Sequence, residues 1–176
     1  MADMGDFWVF GYGSLMWNPG FDHVETVRAR VSGYRRSLCL ASRVHRGTPE
    51  REGLVLALDR GGSCVGVAFR VEQGKQQDVV AYLRERELVT NAYLERYVSF
   101  SLPDGRKGRA ITYVIDRNHD QYAGALSEAE AARRVMGASG KSGPNEDYVL
   151  NTIEHLRALG IRDHWLEAVG RIIRAA

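Results

Sequence analysis

An aromatic, β-branched strand that empties into a glycine-flanked turn constrains this chain more than any other feature. The run Phe7-Trp-Val-Phe-Gly-Tyr-Gly-Ser-Leu-Met-Trp17 starts with strand-forming residues and then breaks at Gly11. Gly11 and Gly13, on either side of Tyr12, let the backbone turn sharply and free its N–H groups to face a ligand. Trp17, Asn18 and Pro19 end the regular structure. A strand opening into such a turn is a common way to present a small-molecule site. On local chemistry alone, a glycine-containing hairpin turn accounts for the same residues. A dinucleotide fingerprint does not. Gly11 and Gly13 supply two of its glycines, but Met16 stands where the third belongs, and no helix follows.

The remaining chain reads as strands first and helices last. Val27 to Leu40 is a predicted strand with Gly33 as a bulge or bend. Ala41 to Pro49 is a polar, basic connection. Gly53 to Leu58 and Cys64 to Val71, separated by Asp59-Arg-Gly-Gly-Ser63, form a predicted hairpin. In its second arm Val65, Val67, Phe69 and Val71 alternate with smaller or polar residues, which marks a core face. A helix is expected from Gln73 to about Val89. Two more strands, Arg96 to Leu102 and Arg109 to Ile115, are joined by the turn Pro103-Asp-Gly-Arg106. Ser127, with Glu130 three residues on, caps a helix to Met136. Pro144 opens another that runs to Leu159, and Asp163 caps a last amphipathic helix through Ile173. This order is α+β rather than alternating β-α-β.

A chain of 176 residues suits one domain, residues 1–176, with a full hydrophobic core. Its net charge of +2 implies no nucleic acid, and the pairs Arg35-Arg36 and Arg133-Arg134 read as solvated faces. Cys39 and Cys64 lie in apolar runs without C-x-x-C spacing, as buried free thiols of a cytoplasmic protein would. The histidines are scattered, so no metal is expected. The acidic start Met1-Ala-Asp-Met-Gly-Asp6 is no signal peptide, and no apolar run reaches membrane-spanning length.

Two constellations carry the chemistry. At about 100° per residue, Val79, Val80, Leu83 and Glu87 share one sector of the first helix, whereas Glu85 points away. A carboxylate on an apolar face resists ionisation, which raises its pKa toward the range of a useful base. Alternatively, Glu87 ends the apolar stripe and pairs with an arginine. The second constellation is Gly137-Ala-Ser-Gly-Lys-Ser-Gly-Pro-Asn-Glu-Asp-Tyr148. Its Gly140-Lys141-Ser142 invites a phosphate-loop reading, but Val135 stands where a glycine is needed and a helix, not a strand, precedes it.

Phe10-Gly-Tyr-Gly-Ser-Leu-Met-Trp17 resembles the opening of the ChaC family, the glutathione-specific γ-glutamylcyclotransferases. Tyr82-Leu-Arg-Glu-Arg-Glu-Leu88 with Ala92-Tyr93 is similar to the family's catalytic helix, and Arg86-Glu87 takes the place of its Arg-Glu pair. Ser42, His45, Arg46 and Gly47 resemble a further segment, and Tyr148 matches a family tyrosine. The resemblance implies a small mixed β-barrel with peripheral helices and a helical tail. It implies conversion of glutathione to 5-oxoproline and cysteinylglycine without cofactor or metal. Glu87 would be the general base, with Gly11, Tyr12, Gly13, Ser14, Leu15 and Met16 holding the γ-glutamyl group. Arg46 and Tyr148 would add further substrate contacts. Other γ-glutamyl amines as substrates, or a non-catalytic binding protein on the same fold, remain the alternatives. Oligomeric state is not implied.

Overall fold

Strand β1 (Phe7–Gly11) is buried along its whole length, which explains why it reads as an unbroken apolar run rather than an alternating one. It lies between two neighbours, antiparallel to β3 (Gly53–Val71) and parallel to β5 (Lys107–Ile115), with Val9 opposite both Phe69 and Ile111. With β2 (Glu25–Ser42) and β4 (Tyr93–Ser101) these strands close a barrel in the order β1-β3-β2-β4-β5. Helix α1 (Gln76–Glu87) sits between β3 and β4 in sequence, and three helices follow the last long strand: α2 (Glu128–Val135), α3 (Asn145–Ala158) and α4 (His164–Ala175). The computed structural model describes residues 6–88 and 91–176. The expected helix end at Val89 and most of the acidic N-terminus lie outside them.

Two compact units partition the chain. The first comprises residues up to Arg36 with Leu58–Asp116, and the second Ser37–Ala57 with Arg117–Ala176. In the first, the β4–β5 hairpin runs in continuous register from Tyr93↔Ile115 to Ser101↔Lys107, as the turn residues Pro103 to Arg106 imply. Phe10, Phe69, Leu58, Leu83, Ile111 and Tyr113 fill its interior, each under 2% exposed. In the second, α3 and α4 approach closely at Gly170, where a Cβ would lie 2.5 Å from the Ile153 side chain. Buried Glu167 accepts from Arg162 and Arg157, and the hydrogen bonds from these two guanidinium groups pull its pKa down to about 2. Ser127 and Asp163 cap α2 and α4 through their side chains, as expected. A two-residue hairpin, β6 (Ser139–Gly140) with β7 (Gly143–Pro144), precedes α3.

Three expectations change. The segment 53–71 is one strand, not a hairpin. Gly61 and Gly62 take positive φ of 103° and 71°, but they bend the strand instead of reversing it. Arg35 of β2 holds that bend by donating to Asp59 and to the Arg60 carbonyl. Arg36 is buried at 6% exposure, so only half of the Arg35-Arg36 reading survives. Helix α1 starts at Gln76 rather than Gln73, because Gly74 takes φ +96° and leaves the helical region. Cys39 and Cys64 are buried and are not joined in a disulfide.

Candidate active site

The glycine turn leaves β1 at Gly11 and passes into a single 3-10 turn, Ser14–Met16, closed by a bond from the Met16 N–H to the Gly13 carbonyl. The leading N–H groups of such a turn have no partner within it. Among the described residues none is found for the backbone N–H of Gly13, Ser14 or Leu15. Their availability is the property expected of an anion-binding nest. The turn is packed tightly from behind. Gly66 on β3 must lack a side chain, since a Cβ there would lie 2.3 Å from the Gly11 carbonyl oxygen.

Two arginines fix the turn. Arg36 donates from Nε to the Tyr12 carbonyl at 2.6 Å and from Nη2 to the Val65 carbonyl at 2.8 Å. Composition gave no hint of this. The available signal was position, because Arg36 directly precedes the buried run Ser37 to Ala41. The second is Arg86, whose Nη1 donates to the carbonyls of Asn18 and Pro19 and to the Tyr82 hydroxyl. Its Nη2 donates to Ser14 Oγ at 3.1 Å.

Glu87 is the last residue of α1, on the face that buries Val79 and Leu83. Its side chain is 17% exposed, and Glu85 faces solvent, as the helical periodicity predicts. Burial pushes the Glu87 carboxyl up, and the Arg86 guanidinium, 3.5 Å away, pulls it back only in part. Both readings of Glu87 are therefore present at once: an inward carboxylate of raised pKa, with an arginine beside it. One guanidinium thus touches both the glycine turn and the carboxylate. A neighbouring acid behaves oppositely. Glu95 on β4 accepts from Arg84 and from the Tyr113 hydroxyl, and the Arg84 hydrogen bonds hold it below the usual range.

The model of the ChaC-like protein family matches residues 7–176. The chain belongs to the ChaC-like family. Within it, the chain is 35% identical over 164 residues to an Escherichia coli (strain K12) protein named glutathione-specific gamma-glutamylcyclotransferase, covering 93% of this chain and 71% of that one. It is 31% identical over 174 residues to human glutathione-specific gamma-glutamylcyclotransferase 1, covering 96% and 78%. Among solved structures, a yeast γ-glutamyl cyclotransferase specific to glutathione superposes with TM-score 0.84 at 22% identity, covering 97% of this chain and 96% of that one. That likeness establishes the ChaC-like fold of this chain, the α+β barrel expected from the resemblance.

The other segments that resemble the ChaC family meet within the second unit. The N–H groups of Lys141 and Ser142 donate to the carbonyls of Val44 and His45, each at 2.8 Å. Gly140-Lys141-Ser142 is therefore the tip of a small hairpin with its donors engaged, and no phosphate loop forms. Arg46 donates to the Pro144 carbonyl and lies 5.5 Å over the Tyr148 ring. Tyr148 in turn accepts from the Leu56 N–H. Asn145, fully buried, clamps Leu54 through both ends of its amide. Among the described residues no cluster of three metal-ligating side chains occurs, and no helix is long and apolar enough to cross a membrane.

Proposed function

We propose that this chain is a glutathione-specific γ-glutamylcyclotransferase acting as one domain of residues 1–176. The observation that carries the reading is the pairing of a glycine turn offering backbone donors with a part-buried Glu87 on the inward face of α1, whose carboxyl burial pushes up. The names of the E. coli and human relatives support the substrate. In the reaction, Glu87 takes a proton from the substrate's α-ammonium. The freed amine attacks the γ-carbonyl, and the new C–N bond closes a five-membered lactam. The γ-amide C–N bond then breaks as Glu87 returns this proton to the leaving nitrogen. The second proton, shed by the ring nitrogen, leaves a neutral lactam and makes the released cysteinyl amine an ammonium. The products are 5-oxoproline and cysteinylglycine, with no water consumed and no external nucleophile required.

In this reading the N–H groups of Gly13 to Leu15 hold the oxygen that becomes negative during attack, and Gly11, Tyr12 and Met16 shape the γ-glutamyl pocket. Folding the substrate into a ring-closing pose supplies much of the rate, because intramolecular attack gains heavily from orientation. Arg46 is proposed as the contact for a substrate carboxylate and Tyr148 as a further substrate contact, supported by the resemblance of their segments to the family. A cytoplasmic location belongs to the same reading, supported by two buried cysteines that are not joined in a disulfide. The test is to incubate the purified chain with glutathione and with γ-glutamyl-alanine and to quantify 5-oxoproline. Release from glutathione with little from the dipeptide is expected. Equal turnover of both would remove the glutathione preference, and no release from either would remove the reaction.

A further inference from the structure

Arg86 stands out because its donors are already used within the protein. Nη1 faces three acceptors, Asn18 O at 2.7 Å, Tyr82 Oη at 3.1 Å and Pro19 O at 3.2 Å. Nη2 faces Ser14 Oγ, and Nε faces Glu87 Oε1 at 3.5 Å. A guanidinium so occupied is not a receptor for a substrate carboxylate. Its planar fork instead spans two segments far apart in sequence, the 14–19 stretch and the C-terminal end of α1. The local packing is built around it. Gly20 takes φ +72°, and a Cβ there would lie 2.0 Å from the Tyr82 hydroxyl that Arg86 contacts.

We propose that Arg86 is a positioning residue, fixing the 14–19 turn and the Glu87 carboxylate in one arrangement so that substrate pose and proton acceptor are set together. The inference rests on the cyclotransferase reading and deepens it. Reaction rate in such a site depends on sub-ångström placement, and a shift of about 1 Å costs roughly a hundredfold. Arg86 also sets the charge environment of the base. Among the described residues, the titratable groups around Glu87 are Arg86 on its own helix and Tyr113 on β5, whose hydroxyl is held by Glu95 of β4. Arg84 is bonded to Glu95, so Arg86 is the cation that favours the ionised form of Glu87. Ionised Glu87 is the active form, and rate falls as pH drops through its pKa. Removing the Arg86 charge raises that pKa further and moves the acid limb of the profile to higher pH.

The full chain is tested as Arg86→Gln and Arg86→Lys, with Glu87→Gln alongside, by following 5-oxoproline release from glutathione across pH together with thermal unfolding. Arg86→Lys keeps the charge but loses the fork. It should lower kcat about 10- to 100-fold with the acid limb in its wild-type place. Arg86→Gln should lower kcat at least as much and displace the limb upward. A structural prop alone would lower activity only in proportion to folded protein and leave the limb where it was. A folded Arg86→Lys chain with wild-type kcat overturns the proposal, even if Arg86→Gln does not fold. So does an unshifted limb in a folded Arg86→Gln chain. If wild type is active and Glu87→Gln is not, either result removes the Arg86 role and leaves the cyclotransferase reading standing. A wild type that releases no 5-oxoproline removes both.

Discussion

Two glutamates two residues apart on α1 provide the most discriminating perturbation. Glu87→Gln preserves shape and hydrogen-bonding capacity but removes the proton acceptor. Loss of general-base catalysis costs roughly 10²–10⁴ in turnover, or about 2.7–5.4 kcal/mol of barrier. The stability effect has the opposite sign. Burial raises the Glu87 pKa above its ordinary value of 4.5, so the folded chain binds the proton more tightly than the unfolded one. Stability from this group is therefore fully present below the unfolded pKa and declines as pH rises through the window up to the folded pKa. At neutral pH the wild type carries that penalty and the glutamine variant does not. Arg86 loses only its 3.5 Å partner and keeps Asn18, Pro19, Tyr82 and Ser14, so no orphaned cation offsets the gain. The melting temperature should hold or rise, by roughly 2–4 °C per kcal/mol for a chain of this size. Below about pH 4 the difference should vanish. Glu85→Gln, on the exposed face, should change neither quantity. The assay is 5-oxoproline release with calorimetry on both variants. A folded Glu87→Gln chain turning over glutathione at the wild-type rate would refute the reasoning, and so would a large fall in its melting temperature.

Two further outcomes test the turn itself. Gly66→Ala places a Cβ 2.3 Å from the Gly11 carbonyl, so activity should fall sharply. Ser14→Ala removes only one hydrogen bond from Arg86 and should cost less than tenfold in kcat/KM; the reverse order would count against a backbone role for the turn. Arg36→Ala leaves the buried Tyr12 carbonyl and the part-buried Val65 carbonyl without this donor, at about 1–3 kcal/mol for the buried one. Its unfolding midpoint in urea should drop clearly, and an unchanged midpoint would show that Arg36 does not anchor the turn.

Short-range chemistry was legible in the chain alone. The strand before Gly11, the β4–β5 turn, the Ser127 and Asp163 caps and the inward face of α1 all follow from patterns within a few residues, where periodicity and capping act. The same periodicity separates Glu87 from Glu85 without any knowledge of the barrel. What failed was whatever depends on a partner distant in sequence. Asp59 to Ser63 has the composition of a reversal, and only pairing with β2, with Arg35 on Asp59, keeps it a bent strand. Arg36 has the composition of a surface residue, and only the Tyr12 and Val65 carbonyls, 24 and 29 residues away, make it a buried anchor. Arg86 was visible as half of an Arg-Glu pair, but its grip on Ser14, 72 residues away, was not. A residue's type and local spacing fix its intrinsic reach and preferred backbone. Which unpaired carbonyl or carboxylate lies within that reach is decided when the barrel closes.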